Sequence, residues 1–323
     1  MNTMTFLAKH FVLFFLLATC NAQQQQKRQV WAWASYNIHS EETIQQLYNS
    51  TWNPVVDGIQ AACGCRFTDT GISFNDTIWA ACAPLFRAAK ETNTKFQLWI
   101  AGNIPEQADV TVFIRDALDL YHHLGVDGFS IDDEQDCAPR ATTDKFETWI
   151  TWQNTFAAAL LQDYGIPVTS AVQALFAIND NTPDNDPCAK APSAYTLDTR
   201  VVELLQKATL QKWLVMDTYY FTTGRFLGAL DWHTTYIPKK TLAMGMMNRD
   251  DLTDDDLVAR FHAIDKSGVV DWINIFIMPI SDAFLPYLER WKTHCAGCGK
   301  QTILGCYDMS IECNQARISE SEL

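Results

Sequence analysis

Several kinds of feature are missing from this 323-residue chain, and each absence removes a class of function. After residues 1–22, no apolar run approaches the roughly 20 residues that a membrane-spanning helix needs. There is no surplus of positive charge. Lys and Arg number 24 against 38 Asp and Glu, and the net charge of −14 argues against nucleic acid and anionic membrane surfaces as partners. No Gly-rich phosphate turn follows an early strand, which speaks against a dinucleotide-binding open sheet. The seven histidines show no metal-ligand spacing. His122-His123 is expected on a helix and His233 in a loop, in solvated or capping roles. No metal and no cofactor are expected.

The composition that remains is that of an ordinary globular protein: 48% hydrophobic and 19% charged residues give no sign of wholesale disorder. Residues 1–22 read as a signal peptide. Lys9 and His10 precede the apolar run Phe11 to Ala18, and Cys20-Asn21-Ala22 supplies small residues before a cut. Residues 23–28 form a polar lead-in, 29–294 one barrel-sized domain, and 295–323 a short cysteine-bearing tail. The expected destination is the extracellular space or a lysosomal or vacuolar lumen, with no membrane attachment after cleavage and a monomeric state. Asn49-Ser50-Thr51 and Asn75-Asp76-Thr77 are glycosylation sequons, as that route permits. Removal of Cys20 leaves nine cysteines, so at least one is free or pairs between chains. In an oxidising compartment Cys295, Cys298, Cys306 and Cys313 are expected in disulfides rather than around zinc.

Along the chain, strands alternate with helices. Strands are expected at 29–37, 55–63, 95–101, 125–134, 166–174, 212–221, 240–247 and 269–278. Helices are expected at 40–47 with Ser40 as N-cap, within 75–91, and at 109–124, 143–164, 198–208, 254–266 and 281–291. Residues 176–194 and 222–238 read as loops, the second carrying Arg225, Trp232 and His233. Continuous apolar runs such as Trp272 to Met278 suit strands buried on both faces of a parallel sheet. Eight such strands over about 260 residues predict a single-domain (β/α)8 TIM barrel, whose chemistry sits at the C-terminal strand ends. If the fourth and fifth strands are neighbours, Cys137 and Cys188 can bridge over that end.

The fourth strand, Gly125-Val-Asp-Gly-Phe-Ser-Ile-Asp-Asp-Glu134, ends in carboxylates. Alternation sends Ser130, Asp132 and Glu134 to one side and Phe129, Ile131 and Asp133 to the other. Buried charge is costly, so these acids need a partner or a purpose, and capping of the next helix is the bland reading. Asp127, at the opposite end, is expected to support the start of the strand.

Asp127, Ser130, Asp132 and Glu134 stand at the offsets of an Asp-x-x-Asp-x-Asp-x-Glu motif with its second Asp replaced by Ser. The chain thus resembles glycoside hydrolase family 18, the chitinase family. Lys239 to Gly245 is similar to the family's Lys-x-x-x-x-Gly strand, and Met216 with the following tyrosines to its Met-x-Tyr-Asp. The departures are Thr218 at the family's Tyr position, Ile277-Met278-Pro279 in place of a strand-ending Trp, and Met246-Met247-Asn248 in place of the usual Pro-x-Tyr-Gly. The resemblance implies hydrolysis beside N-acetylglucosamine, in chitin oligosaccharides or N-glycan cores. There the substrate's own acetamido oxygen attacks the anomeric carbon, and the protein supplies no carboxylate nucleophile. It implies Glu134 as general acid/base and Asp132 as the group that orients the acetamide. Ser130, Asp217 and Tyr219 are substrate-binding candidates, with Trp33, Trp99 and Trp232 as sugar platforms; core packing is the alternative for each aromatic. A chitinase-like lectin without turnover is the second function. A metal-dependent barrel on Asp132, Asp133, Glu134 and Asp217 is disfavoured because Asp133 faces away. A glycosidase with two catalytic carboxylates is disfavoured because Thr241 to Met247 lacks a Glu.

Overall fold

The computed structural model describes residues 28–35, 37–133, 143–173, 203, 210–216, 222–236, 241–248 and 251–293; at 143–146, 172, 173, 225, 232 and 236 it describes the backbone alone. The strands are β1 Gln29–Ala34, β2 Gly58–Thr68, β3 Gly71–Phe74, β4 Lys95–Ala101, β5 Gly128–Asp132, β6 Val168–Gln173, β7 Lys212–Met216, β8 Leu242–Met247 and β9 Trp272–Phe276. The helices are α1 Glu41–Tyr48, α2 Asp76–Glu91, α3 Val110–Leu124, α4 Thr143–Tyr164, α5 Thr223–Tyr236, α6 Asp254–Ser267 and α7 Leu285–Thr293.

All strands but β3 run parallel, and β1 pairs with both β2 and β9. The sheet therefore closes into the expected eight-stranded barrel, which leaves no unpaired edge. Alternation divides each strand between two cores. Outward residues such as Val30, Ile59, Leu98, Phe129, Ile131 and Ile273 pack under the helices, while Trp31, Trp33, Trp99, Leu214, Met216, Trp272 and Phe276 fill the barrel.

Local sequence explains the element ends. Ser40, Asn75 and Asp109 cap α1, α2 and α3 by accepting hydrogen bonds from free N–H groups of the first turn. Gly125 closes α3 in the left-handed conformation (φ 69°) that other residues avoid. At Gly128 a β-carbon would collide with the Pro167 carbonyl oxygen, so β6 can lie beside the start of β5 only over a glycine.

Three expectations change. The second strand starts at Gly58 rather than at residue 55 and runs on to Thr68, where it turns back as β3; Gly64 (φ 91°) takes up a register shift between Ala61 and Cys65. Residues 222–238 are not a loop, because 223–236 form α5. Phe226, Ala229, Leu230 and His233 recur at helical spacing and are all buried, which outweighs the weak propensity of Gly224 and Gly228. His233 is accordingly a core residue rather than a solvated or capping one. The strands expected at 166–174, 240–247 and 269–278 are trimmed to their hydrogen-bonded cores, as is usual at element ends.

Among the described cysteines, Cys63 bonds to Cys82 and ties β2 to α2, a pair the sequence did not suggest. Closing a loop of separation 19 is worth roughly 3 kcal/mol. Cys65 is a buried free thiol, pushed up to about 12 by burial. Cys137, Cys188, Cys295, Cys298, Cys306 and Cys313 lie outside the described residues.

Candidate active site

The site is built on β5. Ser130 and Asp132 occupy its inward positions and are 1% and 8% exposed. Asp133 turns outward, where its Oδ2 accepts from the Trp149 indole N–H of α4 at 2.6 Å. That contact explains why a second acid can follow Asp132 at the strand end: it braces α4 and takes no part in the site.

The neighbours of Asp132 are small. In register it lies between Ala101 of β4 and Ala171 of β6, at the C-terminal end of the strand. One inward step lower, Ser130 lies between Trp99 and Thr169. Ser130 Oγ and Trp99 Nε1 are buried without a hydrogen-bond partner. Leaving such a group unsatisfied costs about 1–3 kcal/mol.

Next to these groups lies an aromatic floor. Trp33 stacks on Trp99 at 6.4 Å and meets the edge of Phe276 at 5.2 Å. Three rings from β4, β1 and β9 thus join beneath the C-terminal mouth. Below the rings lies a buried polar network. Gln60 Nε2 donates to Gln97 Oε1 and Thr169 Oγ1, both at 3.1 Å; Thr169 Oγ1 donates to Gln97 Oε1 at 3.0 Å, and Asn274 lies 2.7 Å from Gln60 Oε1. This network fixes the strands that carry the rings. At the lower end Trp31 stacks on Trp272 at 4.4 Å, and Lys212 pairs with Asp271 at 2.5 Å. Burial lowers the pKa of Lys212, although Asp271 pulls it back up.

The structure brings Trp33, Trp99, Ser130 and Asp132 into one barrel interior. Trp232 sits on α5 instead of a loop. Glu134, Asp217 and Tyr219 lie outside the described residues. Asp127 is at the lower end as expected: its Oδ2 accepts from the Phe96 N–H at 2.9 Å and pairs with Lys90 at 3.0 Å. The sequence reading missed Phe276 and the Gln60–Gln97–Thr169–Asn274 network. Their signal was the alternation of Trp272-Ile-Asn-Ile-Phe276, which puts Trp, Asn and Phe on one face. Among the described residues, no three His, Cys, Asp or Glu side chains converge as a metal site would require.

No known family model matches the chain, and no curated protein sequence does. Solved structures do match. A class V chitinase from Pseudomonas fluorescens Pf-5 aligns with a TM-score of 0.60 at 9% identity, over 81% of this chain and 98% of that one. A GH18 chitinase from Pseudoalteromonas aurantia aligns at 0.55 and 11%, over 81% and 97%. The chain resembles glycoside hydrolase family 18. A class V chitinase from Nicotiana tobaccum, solved in complex with NAG4, also aligns, at 0.57 and 10% identity over 83% and 99%. At such identities the likeness to family 18 is one of fold. In this protein's own sheet order β5 is the fourth strand of the barrel.

Proposed function

We propose that this protein is a secreted glycoside hydrolase that cleaves beside N-acetylglucosamine residues in chitin oligosaccharides or N-glycan cores. The observation that carries the reading is the position of Asp132: inward, at a C-terminal strand end, between two alanines and beside a floor of three rings. A carboxylate held there can accept the acetamide N–H and stabilise the positive charge that develops as the acetamido oxygen closes on the anomeric carbon. Glu134, two residues on, is the acid that protonates the leaving oxygen and then activates water. Trp33, Trp99 and Phe276 offer apolar faces to sugar rings, and Asp217 and Tyr219 are, by resemblance, the candidates for binding the acetamido group. The GlcNAc oligomer bound by the Nicotiana chitinase supports this substrate class. Residues 1–22 direct the chain into the secretory route, where it acts as a monomer and forms its remaining disulfides.

A second reading, a lectin without turnover, is favoured by Ser130, which stands buried and unpartnered where the family motif has an acid. The deciding experiment is hydrolysis of a fluorogenic chitobioside and chitotrioside by the secreted protein and by Glu134→Gln, at mildly acidic and neutral pH. Turnover that disappears in the variant establishes the hydrolase. Binding of both oligosaccharides without turnover establishes the lectin. Neither turnover nor binding removes the sugar assignment and leaves only the barrel.

A further inference from the structure

A cleft of about 750 Å³ runs along the outside of the barrel, between α1 and the segment that leaves β9. One stripe of α1 lines it, with Glu42, Gln45, Gln46 and Asn49 at helical spacing. Residues 277–282 form the facing wall. That wall is held from two sides. Gln46 exchanges hydrogen bonds with the Ile280 backbone at 2.7 and 2.8 Å, and the Asn248 side chain donates to the Ile277 and Pro279 carbonyls at 2.9 and 2.6 Å. Among the described residues, no cation lines the cleft. Carboxamides and carboxylates facing an open groove suit a neutral, hydroxyl-rich ligand and repel an anion.

Asn49 stands at the end of this stripe, exposed, as the first residue of the sequon Asn49-Ser50-Thr51. Its Oδ1 accepts from the Thr51 N–H at 2.8 Å, so the Nδ2 end of the amide faces away from that turn. We infer that Asn49 carries an N-linked glycan whose first sugars lie in the α1 cleft and clamp α1 against residues 277–282. In the secretory route the Asn49 amide nitrogen bonds to C1 of an oligosaccharide linked to a lipid pyrophosphate. The nitrogen loses one proton, and the lipid pyrophosphate leaves. From Asn49 back to Glu42 the helix rises about 10 Å at 1.5 Å per residue, the reach of the two N-acetylglucosamine units at a glycan root. Asn75 is the internal control. It is also exposed, but its Oδ1 caps α2 through Thr77 and Ile78, and it is not among the residues that line the α1 cleft. The inference is independent of hydrolysis and rests on the chain being secreted.

The test uses the full chain secreted from an N-glycosylating cell. Peptide mapping after amidase treatment in heavy-oxygen water reads occupancy at Asn49 and Asn75. Hydrogen exchange over 277–282 is then compared among the native protein, protein trimmed to single N-acetylglucosamine stubs, protein stripped by amidase without denaturation, Asn49→Gln and Asn75→Gln. The expected result is occupancy at Asn49, with exchange over 277–282 about threefold faster after stripping or in Asn49→Gln, and unchanged in Asn75→Gln. The stub retains part of the protection. An unmodified Asn49, or equal exchange with and without its glycan, overturns the inference. The stripped native protein keeps the test decisive if Asn49→Gln folds poorly.

Discussion

The two ends of the barrel put their acidic side chains to different uses. At the lower end three carboxylates at the starts of strands are put to structural work. Asp57 accepts from the Val30 N–H and pairs with Lys292 at 2.8 Å; Asp127 accepts from the Phe96 N–H and pairs with Lys90 and Lys95; Asp271 pairs with Lys212. Burial alone would raise the Asp127 carboxyl, but Lys90, the Phe96 N–H and Lys95 hold it below the usual carboxylate range. At the upper end Ser130 Oγ and Trp99 Nε1 stay buried and unsatisfied beside Asp132. Trp272 Nε1 at the lower end is also buried without a partner, so what separates the two rims is the work given to their carboxylates. This division is the general one for barrels, whose lower faces hold the structure and whose upper faces hold the chemistry.

The largest effect that would sharpen the contrast is on activity at the upper rim. Glu134→Gln is expected to lower kcat by about 10²–10⁴-fold with thermal stability unchanged, as read from chitobioside turnover and a melting curve. Asp271→Ala should do the reverse. It removes the carboxylate that pairs with Lys212, whose side chain is only 7% exposed, and breaking such a pair costs about 3–5 kcal/mol. Denaturant unfolding should show that loss, while the KM of the folded protein for the chitobioside stays constant. A change in KM with little change in stability would break the assignment of this rim to structure.

Between the two rims, the helical layer carries a pH dependence of its own. Burial lowers the pKa of His233 from 6.5 to about 3. The unfolded chain therefore binds a proton at His233 that the folded chain does not, at every pH between those values. Stability is complete above about 6.5 and falls as the pH drops toward 3, by at most about 1.4 kcal/mol per pH unit from this group. His233→Leu should flatten the acid limb of a plot of melting temperature against pH. An equally steep limb in the variant would show that other groups set it.

The fold was legible because its signal is repeated. Eight apolar strands separated by amphipathic helices specify a barrel even when single boundaries are off by two or three residues, as at 55–58. The fourth strand was legible to the side chain, since alternation correctly sends Asp133 to Trp149 and keeps Ser130 and Asp132 inward. What stayed hidden depends on partners far away in sequence. Nothing near Cys63 indicates that Cys82 lies one helix away across β2. The ring floor needs Trp33, Trp99 and Phe276 from three strands, and Phe276 looked like an interior residue of a uniformly apolar run. Helix α5 was read as a loop because Gly224, Gly228 and three threonines in 14 residues suppress propensity, although its buried stripe was present.

The smallest expected effect is also the finest test of the contrast, because it concerns one hydroxyl. Ser130 Oγ makes no hydrogen bond in the protein, so Ser130→Ala removes a desolvated group and no contact. Its stability should change by no more than about 0.5–1 kcal/mol, and the change can be stabilising. Asp127→Ala, at the other end of the same strand, removes a carboxylate that serves a strand N–H and two lysines, and should cost more. The converse substitution, Ser130→Asp, places a second carboxyl one inward step below Asp132. Close carboxylates do not readily ionise together, so the pair would hold a proton to higher pH than Asp132 alone. The acid limb of the kcat/KM profile should then move upward relative to the parent. If Ser130→Asp and the parent give superimposable profiles, position 130 is electrostatically uncoupled from the reaction, and its buried hydroxyl belongs to the packing of Trp99 and Thr169 instead of the chemistry at the mouth.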